Sequence, residues 1–287
     1  MKISLSSLLV IGAAILPFMS IPAFADTRIE SVKTDSFNMK YFKFGSGSKT
    51  LVIIPGLSVK SVMDFADSVS EAYNIFADEF TVYVFDRVSN PKENYTIYDM
   101  ADDTIKAFDS LGIKDAYIIS VSQGAMIAQV LASRRPDLVK KLVLGSSASR
   151  IPESSVKIFS EWTRLAHEGN IEALNKSFAG HVYSEKFFAK YREAILAANR
   201  DITSSELERF IIFADSMKGM NLSGELENIK CPVLVIADSN DKIFDVSESK
   251  FIAEKLNCEI FIYHDYGHAV YDEAPDYKTR ILKFFKE

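Results

Sequence analysis

Residues 116–132, AYIISVSQGAMIAQVLA, decide the fold. The first six are mostly β-branched or aromatic, the composition of a buried strand, and residues 123–133 read as a helix. No loop separates the two, so the chain must turn at Ser122 alone. So tight a turn brings the backbone on either side of the serine into close approach, which demands small residues two positions away. Ser120 and Gly124 meet that demand. Ser122 is thereby lifted above the end of a strand. Gln123 opens the helix, so its N–H and the positive end of the helix dipole face any negative charge that develops beside the serine.

The same alternation extends outward in both directions. Upstream, apolar runs at 50–54 (TLVII) and 80–85 (FTVYVF) read as strands, each followed by a helical pattern, at 61–77 and at 97–110 before Gly112. Downstream, a strand at 141–144 completes this series. Strands at 233–237 and 259–263 follow later, with helices at 246–256 and 274–285. Near-continuous apolar strands alternating with amphipathic helices predict a parallel sheet covered on both faces. Two alternating segments, 28–34 and 37–44, divided by a turn at Asp35 and Ser36, predict an antiparallel hairpin at one edge. Between the two series the chain is helical, with Phe159, Trp162 and Leu165, and then Phe210, Phe213 and Met217, at helical spacing. The predicted fold class is therefore α/β: a mostly parallel, doubly wound sheet formed by residues 26–151 and 226–287, with a helical cap inserted at 152–225.

Composition narrows the setting. Lys2, an apolar stretch from Leu8 to Phe24, and the small-x-small sequence Ala23-Phe24-Ala25 have the layout of a secretory signal peptide spanning residues 1–25. Cleavage there starts the mature chain at Asp26 and implies a secreted or extracytoplasmic location. An uncleaved anchor is the rival reading, though Pro17 and Pro22 interrupt the stretch. Loss of Lys2 takes the formal charge from −6 to −7 over 262 residues, a mild acidity that argues against nucleic acid or anionic membrane as partner. No further segment reads as membrane-spanning, and oligomeric state is not legible. The two cysteines, Cys231 and Cys258, each precede a predicted strand. They come within disulfide reach if those strands are neighbours, and are otherwise two half-buried thiols. Neither their spacing nor that of the four histidines suits a metal, and no cofactor is expected.

The small-x-Ser-x-Gly turn, the order of elements and the cap after the sixth strand together resemble the α/β-hydrolase family over nearly the whole mature chain. Ser120 stands where the family usually has glycine. The resemblance implies a nucleophile at Ser122, with an acid and a histidine following in that chain order. His268, in YGHAVYDEAP, matches the family's Gly-His loop, and His264 is the neighbouring competitor. His167 and His181 fall in the cap, where packing or surface roles are expected. Asp241, in VLVIADSNDKIFDVSES, matches the acid by position, with Asp238 and Asp245 as alternatives. A second oxyanion donor is implied at the N–H of Leu57, beside that of Gln123, although Pro55-Gly56 replaces the His-Gly often found there. Asp86-Arg87-Val88-Ser89 also departs from the loop common in relatives.

Such a constellation implies acyl transfer: attack on an ester, thioester or lactone carbonyl and hydrolysis of an acyl-enzyme on Ser122, with activity falling as acid protonates His268. The partner implied is a small-molecule acyl substrate, with peptidase and perhydrolase chemistry as variants. Serine rather than aspartate at 122 argues against carboxylate-nucleophile branches. Two rivals stand beside this: a catalytically silent fold of the same kind that binds a small ligand or protein, and an interaction protein docking through its cap.

Overall fold

A computed structural model describes residues 27–33 and 37–287. The signal segment, the start at Asp26 and the turn at Asp35 and Ser36 lie outside the described residues. The elements run β1 (Ile29–Lys33), β2 (Asn38–Phe44), β3 (Lys49–Ile54), α1 (Ala66–Ala72), β4 (Phe80–Val88), α2 (Ile97–Leu111), β5 (Ala116–Val121), α3 (Gln123–Arg134) and β6 (Val139–Gly145). Four helices follow: α4 (Glu153–His167), α5 (Ile171–Val182), α6 (Glu185–Ala198) and α7 (Ser204–Asp215). The chain then returns to the sheet with β7 (Val233–Asp238), α8 (Val246–Leu256), β8 (Glu259–Tyr263), α9 (Val270–Glu273) and α10 (Tyr277–Lys286).

The eight strands form one sheet in the order β1-β2-β4-β3-β5-β6-β7-β8. β1 and β2 pair antiparallel at the edge, and every pairing from β4 to β8 is parallel. Along this order the chain moves one way from β3 to β4 and the other way to β5, so the loops leaving β3 and β5 diverge from adjacent strands. Such a reversal opens a crevice at the carboxyl ends. Ile54 pairs with Ser120 there, which sets the Pro55–Gly56 loop beside Ser122.

Three local expectations need correction. The helix expected over 61–77 is a short α1 flanked by 3₁₀ turns at Val62–Phe65 and Asn74–Phe76. Tyr73 and Phe76 are both buried and their rings stack at 6.2 Å, and a 3₁₀ turn places residues i and i+3 on one side. β4 runs on to Val88 because β2 still pairs with it there, Met39 against Val88, so Asp86 and Arg87 stand on a strand end rather than in a loop. The last helix begins at Tyr277, not 274: Pro275 disfavours helical backbone at Ala274, which is extended (φ −83°, ψ 119°).

Of the two readings for the cysteines, the structure takes the bland one. Cys231 and Cys258 are free thiols. β7 and β8 are neighbours, but Leu234 pairs with Glu259, which leaves Cys258 level with Val233, two residues past Cys231. Burial pushes both thiols up to about 11, so they pack as small apolar groups.

Candidate active site

Ser122 occupies the turn between β5 and α3 with φ 53° and ψ −125°, a conformation L-residues rarely adopt. Its N–H donates to Gly145 O at 2.8 Å, and its carbonyl accepts from Ser147 Oγ at 3.0 Å. The surroundings explain the small neighbours. A Cβ on Gly124 would lie 2.2 Å from Ile54 O and 2.4 Å from Pro55 O, so only glycine lets α3 approach β3. Ser120 fits because its hydroxyl, wholly buried, donates to Val143 O on β6 at 2.6 Å.

His268 Nδ1 lies 2.7 Å from Asp241 Oδ2, with both side chains almost fully buried. Asp241 is held in turn: Oδ1 accepts the N–H groups of Ile243 at 2.7 Å and Phe244 at 3.0 Å. Phe244 meets the imidazole edge-on at 5.6 Å, which fixes the ring plane. The other candidates are engaged elsewhere. Asp238 accepts from Asn240 N and Tyr266 N and so shapes the two loops. Asp245 caps α8 through Ser247 N. His264 pairs with Ser239 in an exposed position, and His181 lies against Ser177 O in α5. Ser122 and His268 line one cavity, without a direct hydrogen bond between them.

Leu57 also lines that cavity and donates to no backbone carbonyl, while the Gln123 N–H, first in its helix, has no intrahelical acceptor. What holds their loop was not legible in the sequence. Arg87, 6% exposed, donates from Nη2 to Pro55 O at 2.6 Å and to Gln123 Oε1 at 3.1 Å. Burial pulls its guanidinium down to about 10. The Gln123 amide then donates to Phe213 O in α7 at 2.6 Å, and Arg209 of α7 pairs with Asp86 at 2.5 Å. One polar chain therefore links the β3 loop, the β4 end, the serine turn and α7.

The inserted helices also grip the histidine loop. Ala269 N donates to Val182 O at 2.8 Å, and Ser184 N donates to Glu273 Oε1 at 2.9 Å. A Cβ on Gly267 would stand 2.8 Å from Ser184 N, so the loop that carries His268 needs glycine to meet the α5–α6 junction. Burial raises the Glu273 carboxyl above its usual range, against the lowering effect of the Ser184 hydrogen bonds. Glu273 lies within the YGHAVYDEAP segment and Arg87 within the Asp86–Ser89 segment, but neither was given a role in the sequence. Only an unexplained acid and base in these segments hinted at them.

A serine on a strained strand-to-helix turn, at the carboxyl edge of a mostly parallel sheet and sharing a cavity with a buried His–Asp pair, defines the class: a hydrolase of the α/β fold. The profile of the alpha/beta hydrolase fold family matches residues 49–275, and the chain belongs to that family. It is 28% identical over 202 residues to a Caulobacter sp. (strain K31) protein provisionally named carbamate hydrolase RutD, covering 66% of this chain and 72% of the relative. It is 23% identical over 186 residues to the 3-oxoadipate enol-lactonase 2 of Acinetobacter baylyi, covering 63% and 69%. Among solved structures it resembles MGS-M2, an alpha/beta hydrolase from a Medee basin deep-sea metagenome library, with a TM-score of 0.81, 24% identity, and 90% and 98% of the two chains covered.

Proposed function

We propose that this chain is a serine hydrolase that cleaves a carboxylic ester, thioester or lactone through an acyl-enzyme on Ser122. The observation that carries this reading is the buried 2.7 Å contact between His268 Nδ1 and Asp241 Oδ2, on the wall of the cavity that holds Ser122. With Nδ1 engaged, Nε2 is the nitrogen free to take the hydroxyl proton as Ser122 Oγ bonds to the carbonyl carbon. Asp241, accepting two backbone N–H groups as well, fixes the tautomer and offsets the charge on the imidazolium. The carbonyl oxygen becomes an oxyanion facing the N–H groups of Leu57 and Gln123. Collapse expels the alcohol or thiol, which takes its proton from Nε2, and water repeats the sequence to release the acid and free Ser122.

The test is labelling of the purified protein with a fluorophosphonate, with mass mapping of the modified residue, alongside Ser122→Ala and His268→Ala. Labelling at Ser122 that is lost in the first variant and strongly slowed in the second is expected. A folded wild type that does not label would sink the reading and favour a silent ligand-binding protein. The proposal includes a secreted location, which rests on residues 1–25. Mass analysis of protein exported from an expressing cell is expected to find a chain starting at Asp26.

A further inference from the structure

A cavity lined by Ser122 and His268 opens above the serine turn and is walled on its far side by the inserted helices. Phe159 and Trp162 of α4, Phe178 and Val182 of α5, Ile195 of α6 and Met217 beyond α7 form its apolar wall. Among the described residues, no lysine, arginine or carboxylate lines it, and His268, committed to Asp241, is the one basic side chain.

The polar groups of the wall offer an anion little. Asn175, 7% exposed, donates one Nδ2 hydrogen to Asn199 O at 2.7 Å, which leaves Oδ1 as an acceptor and one amide N–H as a neutral donor. Ser58 Oγ donates to Lys60 O at 2.8 Å. Tyr183 and Tyr271 are neutral phenols, since burial pushes both well above the usual range. Two cations, buried Arg87 and half-buried Arg209, stand on the other side of the Gly56–Ser58 loop, with Nη2 on Pro55, Gln123 and Asp86 and with Nε atoms sealed from solvent.

We propose that the cavity selects an uncharged, apolar acyl chain and turns away a substrate that carries a second carboxylate. A carboxylate moved from water into this wall would lose its hydration and meet aromatic faces and a few neutral donors, with no cation to replace the solvent. The proposal rests on the hydrolase reading above and adds its substrate class. It also sets this chain apart from the enol-lactonase among its relatives, whose name denotes an adipate-derived, and hence dicarboxylate-derived, substrate.

The experiment compares two p-nitrophenyl esters with the same six-carbon acyl chain, the hexanoate and the adipate half-ester with its free carboxylate, on the full chain at neutral pH. The expected kcat/KM ratio favours the hexanoate by at least about 50-fold, the scale of an unpaired buried charge that retains some water. In Asn175→Lys, which places a cation in the wall, the ratio is expected to fall at least tenfold through faster turnover of the adipate ester. A smaller wild-type ratio overturns the proposal, as does Ser122 labelling by a fluorophosphonate without turnover of the hexanoate. Absence of that labelling in a folded protein overturns the hydrolase reading itself, so the two failures are distinguishable.

Discussion

The floor and the roof of the cavity are built on opposite principles. The floor, at the carboxyl ends of β3, β5, β7 and β8, is a set of short polar contacts: Asp241 on His268 and on two backbone N–H groups, Arg87 on Pro55, and Ser147 on the Ser122 carbonyl. The roof is a run of rings from Phe178 through Trp162 and Phe159 to Phe244, at 4.7, 5.7 and 6.1 Å, with Trp162 wholly buried. Directional bonds hold atoms to fractions of an ångström, which bond-making requires. Apolar packing sets a shape and excludes water while tolerating change in what it encloses. On the proposed function, this difference gives the reaction to the floor and stability and selectivity to the roof.

The sharpest way to break that division is to cut the floor. Ser122→Ala is expected to lower kcat on an activated ester by about a millionfold, while urea unfolding stays close to wild type. A residual rate within tenfold of wild type would mean the reaction runs elsewhere. Asp241→Asn is expected to cost about 10⁴-fold in kcat, since the amide favours the wrong imidazole tautomer. A loss under tenfold would remove Asp241 from its proposed role.

Cutting the roof should read out differently. Trp162→Ala is expected to destabilise the fold by about 3–5 kcal/mol through the cavity it leaves. Turnover of a small acetate ester should stay within tenfold of wild type. A collapse of kcat in a still-folded variant would erase the contrast. Arg87→Met sharpens it from the floor side, by freeing Pro55 O without touching the cavity wall. We expect kcat to fall about 100-fold with KM nearly unchanged, and partial recovery in Arg87→Lys. Equal changes in kcat and KM, or no recovery, would make Arg87 a packing residue only.

The smallest expected effect concerns Asp272, four residues beyond His268. It is buried, and both its carboxylate oxygens lack a hydrogen-bond partner. Burial raises its pKa well above the usual carboxylate value. From that usual value up to the raised one the folded state holds the extra proton, so wild-type stability declines as pH rises through the window. Asp272→Asn cannot titrate, and its advantage over wild type should grow across that window and level off above it. Parallel stability profiles, from urea midpoints at a series of pH values, would contradict this.

Much of this architecture was legible because it is local. The apolar run of β5, the single-residue turn at Ser122 and the glycine two residues on depend on neighbours a few positions away. So does the end of α2 at Gly112, which is left-handed in the structure. The parallel sheet and its antiparallel edge hairpin followed from the alternation, whereas the order of the strands across it came only with the structure. The errors fell where tertiary packing overrode local pattern, as at residues 61–77, tightened so that Tyr73 and Phe76 both turn inward, and at β4, prolonged by its pairing with β2.

By itself, then, the sequence determined the fold class, the serine turn and the chain order of Ser122, Asp241 and His268. Only the tertiary structure decided which acid meets which histidine, that Arg87 and α7 brace the loop at Pro55, that Glu273 fastens the histidine loop to Ser184, and that the cavity wall lacks a cation. The reason is physical. Backbone sterics and hydrophobic periodicity act over a few residues and leave a signature in the local string. A hydrogen bond between residues 89 positions apart, such as that of Ser184 with Glu273, exists only once the whole core has packed.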